Sequence, residues 1–104
     1  MTKPYDLRYL PAAGQDLLEI LEYIGRDNPD ASRRFVDRVD QAIGRLAFFP
    51  KAGCHPRDSR LRRLGYRVLI LDDYLVFYVI TGRAIQVRRV IHGARRYEFL
   101  LPDP

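Results

Sequence analysis

The 104-residue chain has no tryptophan, one cysteine, one methionine, two histidines and two lysines. Each scarcity removes a class of explanation. The lone Cys54 closes no internal disulfide, which predicts a protein of the reducing cytoplasm. His55, His92 and Cys54 are too few ligands for a zinc site, so no metal is expected. No apolar run reaches the roughly 18 residues of a membrane span. The opening MTKPYDLRYL has neither the basic start, the apolar stretch nor the cleavage site of a signal peptide. Repeats and low-complexity tracts are missing. So are GxGxxG, the P-loop and the GxSxG elbow, and no cofactor is expected.

What is present suits one domain over residues 1–104, since 47% of residues are apolar and 12% aromatic. The charge is asymmetric. Residues 1–56 hold eight Lys/Arg and eight Asp/Glu, whereas residues 57–104 hold ten Arg and five acids, so the net +5 lies in the second half. With only Lys3 and Lys51 as lysines, the basic surface is arginine, whose planar fork matches phosphates and carboxylates. Such a face implies an acidic partner, nucleic acid or protein. The plainer alternative is a solvated basic surface.

The pattern predicts an α+β fold: a short N-terminal strand and an antiparallel helical hairpin packed on a small antiparallel sheet, then a short C-terminal segment. Residues 5–10 read as the strand. Pro11 suits a helix start, and Leu17, Ile20, Leu21 and Ile24 recur at helical spacing up to about Arg26. Asp16, Glu19 and Glu22 are expected on the outer face of that helix. Asn28 as cap and Pro29 at the first position open a second helix, which carries Ala31, Phe35, Val39, Ala42, Ile43 and Leu46 inward. Pro50 and Gly53 end it in a loop.

From Tyr66 the period changes to that of strands. Residues 66–71 and 74–80 flank the two-residue connection Asp72-Asp73, and residues 84–92 form the last strand after TGR (81–83). The middle strand is apolar on both faces, as a covered central strand should be. One sheet face is expected to bury the helices and the other to remain an open surface.

In the last strand, alternation puts Ile85, Val87, Arg89 and Ile91 on one face and Gln86, Arg88, Val90 and His92 on the other. Arg89 then interrupts an apolar face and requires a partner or a wet edge. Brought together across the middle strand, Arg67 and Arg89 would make an anion site near Tyr78. Cutting RNA through its 2′-hydroxyl needs a base, an acid and a cation for the charged phosphorane. His92 has the right pKa range for base or acid, Arg67, Arg89 or Arg95 for the phosphate, and Tyr97 for stacking or proton donation. A histidine beside a turn is, however, more often a hydrogen-bonded structural residue. Tyr66, Tyr74 and Tyr78 read first as cross-strand packing rather than as base-stacking platforms. Cys54 has no histidine or asparagine partner that sequence identifies.

Taken in order, DLLEILEYI (16–24), NPDASRRF (28–35), FPKAG (49–53), RLRRLGYRVLILDDYLVFYVI (60–80) and IQVRRVIHGARRY (85–97) resemble the RelE/ParE superfamily of type II toxin–antitoxin toxins. The resemblance implies a cognate antitoxin, ParD-like or RelB-like, bound in a hetero-oligomer. RelE-like members cut mRNA on the ribosome. ParE-like members poison DNA gyrase and are not known as nucleases. The long hairpin (about 12–48), the ending RVIHGARRY and the near absence of lysine favour the ParE-like branch. That branch implies no catalytic residue, and target-binding by Arg67, Arg88, Arg89, His92, Arg95 and Arg96. The RelE-like alternative implies catalysis by Arg67, Arg89, His92, Arg95 and Tyr97. Leu10 stands where a Ser or Thr cap is common, and Arg96 where HGxRD has Asp.

Overall fold

The computed structural model describes residues 3–97 and 100–102. Strand β1 (Asp6–Tyr9) leads into helices α1 (Pro11–Asp27) and α2 (Pro29–Leu46). A short helix α3 (Ser59–Arg63) precedes the meander of β2 (Tyr66–Leu71), β3 (Tyr74–Thr81) and β4 (Ala84–His92). The four strands lie in the order β1-β4-β3-β2. β1 runs parallel to β4, Asp6 facing Ala84 and Tyr9 facing Val87, while the other pairs are antiparallel. The expected antiparallel sheet is therefore mixed. A strand that precedes the whole hairpin returns to the edge of the last strand, and nothing local in YDLRYL encodes its direction.

Local chemistry explains the hairpin. Asn28 serves both helices: its amide caps Ile24 O at 3.2 Å, and its Oδ1 accepts the Ala31 amide at 3.1 Å. Pro29 then needs no acceptor for a missing N–H. Ser32 Oγ donates to Leu21 O at 3.2 Å and joins the two helices above the break. At the other end Leu10 caps α1 without a side-chain bond. α2 buries Phe35, Val39, Ile43 and Leu46 against Val76, Tyr78, Ile85, Val87 and Val90 of the sheet.

Three expectations are corrected. Asp16 lies not on the outer face of α1 but buried, at 8% exposure. It follows Ala13 by three residues and precedes Ile20 by four, which places it on the inward stripe. The alternation in β4 breaks at a bulge: Tyr78 pairs with Val87, but Phe77 pairs with Arg89, and Arg88 is the extra residue. Ile85, Val87 and Val90 consequently share the helix-side core, and Ile91 joins the opposite one. The second sheet face is not open along its length. Leu61 of α3 and Leu101 of the C-terminal segment cover Tyr66, Val68, Phe77, Val79 and Ile91. α3 starts where the Asp58 side chain accepts the Leu61 amide at 3.0 Å, inside a stretch read from sequence as loop. No helix among the described residues is long and apolar enough to cross a membrane.

Candidate functional site

β4 changes neighbour halfway along. Leu10 donates to Val87 O at 3.0 Å, β1 ends, and α1 takes over beside the rest of the strand. The Val90 amide, with no strand beside it on the β1 side of β4, donates to Asp16 Oδ2 at 2.9 Å. Arg89 approaches the same carboxylate as a fork, Nε to Oδ2 at 2.7 Å and Nη2 to Oδ1 at 2.9 Å. The wet edge or partner that Arg89 required is thus a carboxylate of α1. Its bond to Asp16 raises the Arg89 pKa, against the opposing effect of burial. Arg89 is in this way a strut between helix and sheet.

Arg88 behaves differently because the bulge inserts it. Its Nη1 donates to Gln86 Oε1 at 3.2 Å and its guanidinium sits 5.8 Å from the centre of the Tyr66 ring. Its Nε is buried with no hydrogen-bond partner among the described residues. Arg88 and Arg89 line a cavity of about 290 Å³ at the start of α1, together with Leu10, Ala12, Tyr66, Leu100 and Pro102.

His92 and Arg95 are exposed and share a smaller cavity of about 180 Å³ beside α1, where Glu19, Tyr23 and Tyr74 also face. The His92 ring packs edge-on against Tyr74, centroids 5.4 Å apart, and its Nδ1 accepts the Ala94 amide at 3.1 Å. The Arg95 amide donates to His92 O at 3.0 Å, which closes the turn. Arg96 is exposed. Tyr97 lies across the sheet, tilted on Phe77 at 4.9 Å. It lines a cavity of about 320 Å³ together with Cys54, His55, Arg57, Val68, Ile70 and Leu75. Neither His55 nor Arg57 carries a local sequence signal for a place there. Only the pairing of Cys54 with Val68 brings that loop to the sheet.

Arg67 pairs across from Tyr78, as its place in β2 requires. Its Nη1 donates to Gly53 O at 2.8 Å. Tyr78 is 0% exposed; its hydroxyl donates to Pro50 O at 2.7 Å and accepts the Gly53 amide at 3.0 Å. Burial raises the Tyr78 pKa, with the Gly53 bond and the Arg67 charge pulling it down. The expected anion site near Tyr78 therefore does not form. The phenol is sealed and bonded, Arg67 holds a loop carbonyl, and Arg89 holds Asp16.

A four-stranded sheet with one face under a helical hairpin is the fold of solved chains from toxin–antitoxin systems. A chain of the chromosomal ParDE system of P. aeruginosa superposes with a TM-score of 0.71, at 19% identity over 88% of this chain and 98% of that one. One from the toxin–antitoxin complex RelBE2 of Mycobacterium tuberculosis gives 0.60, at 23% identity over 86% and 98%. One from the DinJ-YafQ toxin–antitoxin complex of E. coli gives 0.52, at 13% identity over 88% and 94%. At these identities the likeness concerns the fold. Sequence carries it further: the model of the ParE toxin of type II toxin–antitoxin systems (parDE) matches residues 7–97, and the chain belongs to that family. A candidate toxin of Sinorhizobium fredii, Y4kP, is 32% identical over 95 residues, 91% of this chain and 95% of its own length.

Proposed function

We propose that this chain, as a single-domain ParE-type toxin, arrests growth in the cytoplasm by poisoning DNA gyrase, makes and breaks no bond itself, and is silenced by a cognate antitoxin in a hetero-oligomer. The observation that carries the reading is the scatter of the residues a nuclease would need. Arg67 is bound to a loop carbonyl and Arg89 to Asp16, His92 and Arg95 stand beside α1, and Tyr97 is across the sheet. A base, an acid and a phosphate clamp must act within hydrogen-bond reach of one reacting group. A binding surface has no such requirement. Arg95 and Arg96 form an exposed cationic end to β4 beside the exposed His92, and Arg88 adds a guanidinium not matched by a carboxylate among the described residues. These groups grip the acidic surface of a protein–DNA complex, and Arg89 holds the strand end in place through Asp16.

The endoribonuclease reading keeps one specific support, the cavity that His55, Arg57 and Tyr97 line together with Val68, Ile70 and Leu75. The deciding experiment uses toxin freed of antitoxin, DNA gyrase and supercoiled plasmid. Accumulation of linear, cleaved plasmid that added antitoxin relieves is expected, with His92→Ala reducing it by less than about 10-fold because binding energy is spread over several contacts. Undisturbed supercoiling at toxin excess, together with ribosome-dependent mRNA cutting lost in His92→Ala or His55→Ala, would overturn the reading.

A further inference from the structure

The end of α2 presents two phenylalanine rings to solvent, Phe48 at 60% and Phe49 at 62% exposure. Neighbouring exposed phenylalanines are costly unless something covers them. The turn that carries them is held unusually firmly. The Phe48 and Phe49 amides both donate to Arg45 O, at 3.1 and 3.0 Å, and the Ala52 amide donates to Phe49 O at 3.0 Å. Ala47 O accepts the Tyr5 amide at 2.8 Å on the entering side. On the leaving side the buried Tyr78 hydroxyl bridges Pro50 O and the Gly53 amide. A turn whose backbone is fixed in this way loses little backbone entropy when a partner covers its rings, the property of an interface anchor.

The surroundings define the partner's chemistry. Phe48, Phe49, Pro50 and Ala52 line an open depression of about 500 Å³ flanked by Arg45 and Lys51, with no carboxylate among its lining residues. An occupant with large apolar side chains and neighbouring carboxylates is complementary to it. The depression also lies at the opposite end of the sheet from His92 and the Arg95 cation. Ala47 is bonded to Tyr5, Asp6 pairs with Ala84 at the start of β4, and His92 closes β4 eight residues on, roughly 26 Å away at ~3.3 Å per residue.

We propose that the Phe48–Phe49 turn anchors an acidic, apolar segment of the antitoxin, at a site separate from the cations that engage the target. The inference rests on the toxin–antitoxin reading above but not on the identity of the target. A tight inhibitor needs buried aromatic anchors, and placing them away from the target surface separates capture from poisoning. Tyr78 is a positioning residue for this site, since its hydroxyl holds the turn without touching the occupant.

The test measures the dissociation constant of the cognate antitoxin for the whole toxin, by calorimetry, and growth arrest in parallel. Phe48→Ala and Phe49→Ala should each weaken binding by about 30-fold, with an unchanged melting temperature and retained growth arrest. Tyr78→Phe keeps both rings and should still weaken binding severalfold. Arg45→Glu with Lys51→Glu should slow association and flatten its salt dependence. Antitoxin affinity within about 3-fold of wild type in the double phenylalanine variant would overturn the proposal. In that case lost growth arrest would mark the turn as a target contact, and a lost dimer in light scattering would mark it as a contact between copies. If the alanine variants fail to fold, the charge-reversed pair decides by the same affinity criterion. A wild type that binds antitoxin without inhibiting gyrase would refute the gyrase reading and leave the affinity comparison valid.

Discussion

Replacing Asp16 by Ala removes a carboxylate that is 8% exposed and accepts three hydrogen bonds. The Arg89 side chain, 20% exposed, would remain in place with its charge unmatched, and the buried Val90 amide would lose its acceptor. Breaking one side of a buried, hydrogen-bonded ion pair costs about 3–5 kcal/mol, and part of that is the orphaned amide at about 1–3 kcal/mol. For a chain of this size each kcal/mol lowers the melting temperature by roughly 4 °C or more, so a fall of roughly 12–20 °C is expected. Asp16→Asn keeps an acceptor for Val90 and should cost less. The informative variant is the double change Asp16→Leu with Arg89→Met, which removes both charges. It should be less destabilised than the two single changes summed, by about 2 kcal/mol or more. Urea unfolding followed by far-UV circular dichroism reads all four corners of the cycle. A cost below about 1 kcal/mol for Asp16→Ala, with additive behaviour in the double variant, would show that the apolar stripe alone holds α1 to β4 and that the strut is incidental.

Three further outcomes follow from other packing details. A Cβ on Gly53 would stand 2.6 Å from Tyr78 Oη and 2.8 Å from Val68 O, so Gly53→Ala should cost about 1–3 kcal/mol and displace the Phe48–Phe49 turn, measurable by denaturant midpoint and by amide exchange at Ala52 and Gly53. Leu101 is 0% exposed within the second core, so Leu101→Ala should lose about 2–5 kcal/mol, which a urea titration will show. Burial raises the Tyr78 pKa above its ordinary 10.0, so the folded protein keeps a proton that the unfolded chain loses. Stability should therefore be full below pH 10.0 and decline as pH rises above it, Tyr9 and Tyr74 adding in the same direction, and Tyr78→Phe should lessen the slope of denaturant midpoint against pH.

Legibility of the fold followed the range of the interactions. The hairpin of α1 and α2 was readable because Asn28, Pro29 and the apolar spacing act within a turn or two of themselves. The Asp72-Asp73 connection was readable for the same reason; Asp72 takes the positive φ of 55° that a two-residue turn demands. α3 was missed although Asp58 stands three residues before Leu61, because five residues carry no periodicity. The parity of β4 was misread after Val87 since nothing in QVRRV distinguishes a bulge from regular alternation. The charge of Asp16 argues for the outer face and its spacing from Ala13 and Ile20 for the inner one, and the spacing prevails because Arg89 supplies the partner. The cations of the candidate site were visible as residues, but their dispersal was not. Arg89 finds its partner 73 positions away, and Tyr97 lies on the opposite face from His92.

The amino-acid order by itself determined the succession of first strand, helical hairpin and meander, the central place of β3 and the concentration of arginine in the second half. These depend on local propensity, alternation and composition, which every stretch of chain carries with it. Tertiary structure alone decided the parallel pairing of β1, the covering of the second face by Leu61 and Leu101, and which arginine is a strut and which stays exposed. Those outcomes depend on contacts between residues far apart in the chain, where a buried charge keeps the partner that packing brings to it and an exposed one keeps water.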